Sequence, residues 1–156
     1  MKNTLLKINK PLVSVNWLYQ QIDATNLVVL NTTLLKVTAN KDQNQSENFQ
    51  IKGARFFDIK NEFSNQEAIF PNTALEPKNF ELKARRLGIN NDSCIVVYDE
   101  YGIYSSPRVW WLFKTMGYDN VAVLNGGFPA WKLSDYSVEE KKSGSFSHGN
   151  FSVNYR

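Results

Sequence analysis

Cys94 to Lys132 reads CIVVYDEYGIYSSPRVWWLFKTMGYDNVAVLNGGFPAWK, and the order of residue types in this stretch decides the fold class. It opens on Cys94–Tyr98 and returns to Val121–Leu124, two short unbroken apolar runs rich in β-branched residues. Unbroken runs, as opposed to alternating ones, suit strands covered on both faces, as in a mostly parallel sheet. Between them, Ser106 followed by Pro107 starts a helix that turns Val109, Leu112, Phe113 and Met116 inward and stops at Gly117. Helix propensity in this segment is mediocre, so packing of its aromatic side chains must hold it.

The same alternation extends outward. Leu27–Leu30 is a third unbroken apolar run, and Ala54–Ile59, ARFFDI, a fourth strand candidate. Ser14 can cap a helix carrying Val15, Leu18, Tyr19 and Ile22 at helical spacing. Pro77 suits a first helical turn; Phe80, Ala84 and Leu87 then share a face, and Gly88 ends the helix. Strands alternating with helices predict an α/β domain with a mostly parallel central sheet and helices on both faces. Two regions are irregular and there is no internal repeat. Lys41–Asn48, KDQNQSEN, reads as an exposed loop, and Glu139–Asn150, charged and then rich in Ser and Gly, as a linker. The expected division is a domain over residues 1–138, followed by a linker and the start of a missing second domain over residues 139–156.

Length and composition bound the function. A chain of 156 residues fits one ordinary domain, and four Trp, seven Tyr and ten Phe can fill its core. The net charge is only +3, with Lys and Arg scattered along the chain, which speaks against a nucleic-acid binder with a concentrated basic face. A single Cys excludes an internal disulfide and fits a reducing compartment. The N-terminal residues lack the apolar run of a signal peptide, and no stretch approaches the roughly 20 apolar residues of a membrane span. These features predict a soluble, cytoplasmic domain without a membrane partner.

In open parallel sheets, ligands sit beyond the carboxyl ends of the strands. The best-defined such place is the loop Asp99-Glu100-Tyr101-Gly102-Ile103-Tyr104-Ser105-Ser106, which runs into the helix at Pro107. A strand, a short Gly-containing loop and a helix start can point several backbone N–H groups at one spot, which then favours an anion.

These residues carry a resemblance. IKGARFFDIK (Ile51–Lys60), the YSSPRVWW helix start and the VLNGGFPAWK turn occur together and in order, with PLVSVNWL and LVVLNTT before them. In this the chain resembles the rhodanese family, specifically the N-terminal domains of thiosulfate and 3-mercaptopyruvate sulfurtransferases. The resemblance implies a double displacement in which a cysteine takes sulfur from a donor, holds it as a persulfide and passes it to an acceptor. It also implies that in tandem members this cysteine belongs to the C-terminal domain, so the missing partner would be a C-terminal rhodanese domain. The position matching the cysteine is Asp99. An aspartate can accept the loop's N–H groups but cannot carry a transferable sulfur, so the expected catalytic set in this chain is empty. The pseudo-active-site loop is expected to comprise Asp99 to Ser106 with Arg108. Two departures bear on contacts around it: Asn31 stands where relatives often have Asp, and Gln50 where they often have His.

Other candidates weigh less. Cys94 begins its strand, at the end of the sheet away from the loop, where a free Cys is ordinarily a small hydrophobe. His148 lies in the Ser/Gly-rich tail with no Asp or Cys at ligand spacing, so neither a triad nor zinc is expected there. Arg108 could face an anion, with a surface salt bridge the plainer role. Trp110 and Trp111 point different ways, at least one into the core, while Gly126, Gly127 and Trp131 read as turn and packing residues. Asp58 and Glu62 lie near a strand end without pairing as acid and base. No metal or cofactor is required. The first reading is therefore the inactive N-terminal half of a sulfurtransferase using thiosulfate or 3-mercaptopyruvate. The second is a standalone anion- or protein-binding module, and the third a single-domain enzyme using Cys94.

Overall fold

The computed structural model describes residues 5–35, 48–69, 73–142 and 144–154. Five strands form one sheet: β1 (Leu12–Val13), β2 (Leu27–Asn31), β4 (Arg55–Phe56), β5 (Cys94–Tyr98) and β6 (Val121–Leu124). Their order is β1-β6-β5-β2-β4, and every pairing is parallel. The three unbroken apolar runs β2, β5 and β6 are the three central strands, and β5 is buried at all five positions. The longest register joins β2 to β5, from Leu27 opposite Cys94 to Asn31 opposite Tyr98.

Side chains alternate across the sheet and build two cores. On one face Val28, Leu30, Ile95, Val97 and Val123 pack beneath α2 (Pro77–Arg86) and α3 (Ser106–Thr115), with Phe80, Val109 and Phe113 at the contact. On the other, Val29, Val96, Tyr98 and Leu124 meet α1 (Val15–Gln21) and α4 (Gly127–Leu133) through Leu18, Phe128 and Trp131. Helices thus cover both faces. Ser14 caps α1 by accepting the Trp17 N–H at 3.0 Å, and Pro77 and Pro107 stand in the first turns of α2 and α3. α3 begins at Ser106, as expected, with Ser105 as its N-cap.

The ARFFDI run is a strand only over Arg55–Phe56; Phe57 and Ile59 leave the sheet and are buried in the α2–α3 core. A second sheet pairs β3 (Phe49–Ile51) antiparallel with β7 (Val138–Glu140). The segment after residue 138, read as a linker, therefore begins inside a strand, and residues 149–154 lie against the domain with Phe151 in the core. Of the expected 41–48 loop, residues 41–47 lie outside the described residues. Among the described residues no helix is long and apolar enough to cross a membrane.

Candidate functional site

Three strand ends converge on one point: the carboxyl ends of β2 and β5 and the turn between β6 and α4. Asp99 is the first residue after β5, and its side chain turns back into its own loop. It is 0% exposed. Oδ1 accepts the Tyr101 N–H at 3.0 Å, while Oδ2 accepts three N–H groups, from Tyr104 at 2.9 Å and from Ser105 and Ser106 at 3.0 Å each. Four backbone donors thus close on one carboxylate, and two of them, Ser105 and Ser106, open α3. The loop and helix start thus turn these N–H groups onto the chain's own side chain.

The loop cannot easily shift. Gly127 approaches so closely that a Cβ there would lie 2.4 Å from the Gly102 oxygen and 2.6 Å from the Asp99 oxygen, and its φ is +56°. With no side chain in the way, the first turn of α4 sends the Phe128 N–H to the Asp99 carbonyl at 3.0 Å. From the β2 side, Ser105 donates its hydroxyl to the Thr32 carbonyl at 2.7 Å, and Thr33 Oγ1 accepts the Glu100 N–H at 3.1 Å. Ser106 Oγ is buried without a hydrogen-bond partner in the described residues.

The residues at the two departures, 31 and 50, both make polar contacts. Asn31 Oδ1 accepts from the Thr33 N–H and hydroxyl, and its Nδ2 donates to Glu100 Oε2 at 3.3 Å. An aspartate at 31 would face the Glu100 carboxylate with like charge, so the amide suits this chain. Glu100, with only 6% of its side chain exposed, also pairs with Lys141 Nζ at 2.7 Å. Gln50 donates to Glu139 Oε2 at 2.7 Å. Burial raises the pKa of Glu139, but hydrogen bonds from Gln50 and the Gly53 N–H, with the Lys142 charge, bring it below the ordinary value. Beside these residues lies an open cavity of about 510 Å³, lined by Asn31, Thr33, Leu35, Gln50, Phe56, Lys141 and Lys142.

The remaining loop residues face outward. Ile103 and Tyr104 are exposed, Tyr104 makes an edge contact with Tyr101 at 5.3 Å, and Arg108 is exposed without an ion pair among the described residues. Arg108 therefore meets neither Asp99 nor a surface carboxylate. Trp110 donates its indole N–H to the Val121 carbonyl at 3.2 Å, whereas Trp111 is 56% exposed.

Cys94 sits at the other end of β5, five residues and roughly 16 Å of strand from Asp99. Its side chain belongs to the α1–α4 core, and burial pushes its thiol up to about 12. His148 is exposed, and among the described residues no cluster of His, Cys, Asp or Glu could hold a metal. Asp58 binds Asn61 and Glu62 pairs with Lys83, so these carboxylates are engaged separately. Sequence reasoning missed Thr32, Thr33, Gly127, Lys141 and Glu139 as parts of the site. The two threonines directly after β2 were a usable signal, since residues at a parallel strand's carboxyl end border the site; no local signal marks Lys141 or Glu139.

Comparison with known proteins agrees with this geometry. Residues 14–134 match the family model described as Rhodanese-like domain. The chain is 35% identical over 141 residues to thiosulfate/3-mercaptopyruvate sulfurtransferase 2 of Arabidopsis thaliana, covering 88% of this chain and 40% of that protein. It is 32% identical to the 3-mercaptopyruvate sulfurtransferase of Escherichia coli, covering 82% of this chain and 46% of that one. The crystal structure of the 3-mercaptopyruvate sulfotransferase SseA from Escherichia coli superposes with a TM-score of 0.80 at 29% identity, over 93% of this chain and 55% of that one. The chain thus spans about half the length of the relatives it matches. With the parallel sheet, the loop after β5 and the family match in agreement, this chain belongs to the rhodanese-like domain family.

Proposed function

We propose that this chain is the non-catalytic half of a tandem sulfurtransferase, whose other half carries sulfane sulfur from thiosulfate or 3-mercaptopyruvate on a cysteine. In the thiosulfate half-reaction, a thiolate attacks the outer sulfur, the sulfur–sulfur bond of thiosulfate breaks, and sulfite leaves with the electron pair. The acceptor then attacks the terminal sulfur of the persulfide and restores the thiolate. Both steps need a thiolate held in a field of N–H donors. The carrying observation is that Asp99 receives four such donors while fully buried. A carboxylate supplies the charge but not the sulfur nucleophile.

The same observation weighs against the standalone anion-binding reading, because an external anion would have to displace a carboxylate already holding four hydrogen bonds. The partner surface on this reading is the carboxyl end of the sheet, where Leu35, Phe56, Ile103 and Tyr104 are exposed. Burial of these side chains by a second domain accords with the chain spanning about half of its relatives. The test is turnover: the purified chain, given thiosulfate and cyanide, is expected to make no thiocyanate above the uncatalysed rate. Thiocyanate production that persists through repeated purification and disappears with Cys94→Ala would refute the assignment.

A further inference from the structure

On the α2–α3 face, residues 149–154, GNFSVN, run from Arg85 at the end of α2 to Met116 at the end of α3, and their alternating exposure reads as extended backbone. Their side chains alternate as in a strand: Phe151 is 0% exposed and Val153 half-buried, while Asn150, Ser152 and Asn154 face solvent. Among the described residues no strand pairs with them, yet all six backbone N–H groups have partners. Those of Gly149, Phe151 and Asn154 donate to the carbonyls of Arg85, Ile89 and Met116 at 2.8, 3.1 and 2.8 Å. Those of Asn150, Ser152 and Val153 donate to side chains: Asn90 Oδ1 at 2.9 Å, Asn91 Oδ1 at 2.8 Å and Glu81 Oε1 at 3.0 Å. Asn150 Oδ1 in turn accepts the Asn91 N–H at 2.8 Å, and Arg85 Nε donates to the Phe151 carbonyl at 2.7 Å. Two asparagine side chains thus stand in for a neighbouring strand.

The Phe151 ring fills a pocket of aromatic side chains, with centroids 5.3 Å from Tyr118, 5.8 Å from Phe113 and 6.0 Å from Phe80. At Gly149 a Cβ would lie 2.0 Å from the Ile89 oxygen, so the groove admits only glycine there. Residues 144–148, immediately before, are exposed. A satisfied extended backbone, one buried aromatic anchor and an enforced small residue two positions earlier together make up a mode of peptide recognition.

We propose that the groove between α2 and α3 is a peptide-binding site, and that its ligand is the chain's own GNFSVN segment, recognised without need of the covalent connection. The site takes an extended peptide with an aromatic residue two positions after a glycine. The proposal is independent of the sulfur chemistry, since the segment meets the carboxyl end of α3 at Met116, whereas Asp99 meets its amino end at Ser106.

The test cuts the chain while it is folded. A specific protease site is inserted after Gly144 in the full-length protein, the protein is cleaved under native conditions, and the products are separated by size exclusion and identified by intact mass. The tail fragment is expected to co-elute with the domain. Phe151→Ala in the same background is expected to release it on cutting. Asn91→Ala, an exposed change that leaves the core intact, should speed its dissociation roughly tenfold by removing the acceptor of the Ser152 N–H. Immediate loss of the wild-type fragment from a folded domain would overturn the proposal, as would loss of the fold on cutting or an unchanged release rate in Asn91→Ala. A dimer with exchanged tails before cleavage would overturn it too, by assigning the groove to a second copy.

Discussion

The two ends of β5 bury reactive side chains by opposite means. At the carboxyl end, Asp99 is removed from water but receives four N–H donors, so a charged group is kept inside the protein. At the amino end, Cys94 is equally buried among Val29, Val96 and Ala122. Burial in that apolar core pushes its thiol up to about 12. The strand is the same and the burial is the same; the local supply of N–H groups differs. The comparison teaches that this chain keeps its cluster of N–H donors and its single cysteine at opposite ends of one strand.

Exchanging the residue types between the two ends should break the protein most severely. Cys94→Asp places a carboxylate in an apolar core without donors, a burden comparable with the whole stability of a domain, roughly 5–15 kcal/mol. No folded protein is expected at neutral pH, and circular dichroism with size exclusion would show it; a folded Cys94→Asp would mean that the core around Cys94 opens to water.

Alkylation of Cys94 in the native wild-type chain comes next. With a thiol at about 12 against an ordinary value near 8.5, the thiolate fraction at pH 8 falls by roughly three orders of magnitude. Labelling by iodoacetamide should be slower than in the denatured chain by at least about that factor. It should rise about tenfold per pH unit until the thiol itself titrates. Rapid native labelling at pH 8 would erase the contrast between the two ends.

The Asp99 end is probed by smaller changes. Asp99→Ala leaves four buried N–H groups without their acceptor and should cost about 3 kcal/mol, read as a shift in the denaturation midpoint. Asp99→Asn keeps an oxygen that can face Tyr104, Ser105 and Ser106 while its amide meets the Tyr101 N–H, so about half that loss is expected. Equal stability of all three proteins would mean that the loop amides gain nothing from the carboxylate.

How much of this was legible depended on whether the signal was local. β2, β5 and β6 read directly as unbroken apolar runs, and the Pro77 and Pro107 helix starts as Pro in a first turn. The loop after β5 was legible as a place where backbone N–H groups converge, because strand, glycine and helix start occur in sequence order. β3 and β7 were not legible: each has three residues, and they become strands only by pairing with each other across 86 intervening positions, from Phe49–Ile51 to Val138–Glu140. α4 was hidden by its opening Gly127 and by Pro129, which read as a turn. ARFFDI overstated its strand, because Phe57 and Ile59 are apolar for the α2–α3 core and not for the sheet. In the tail, Phe151 stands in a polar, glycine-containing context that resembles a linker, and only the aromatic cluster of Phe80, Phe113 and Tyr118 reveals what it does.

The most direct test of the central claim, that the Asp99 loop is the seat of a nucleophile occupied by a carboxylate, is intact mass spectrometry of wild-type and Asp99→Cys proteins side by side. Both are incubated with thiosulfate, weighed, and weighed again after cyanide. The account predicts no change in the wild-type mass and one added sulfur atom on Asp99→Cys that cyanide removes. A cyanide-labile sulfur on the wild-type chain, or none on a folded Asp99→Cys, would contradict it.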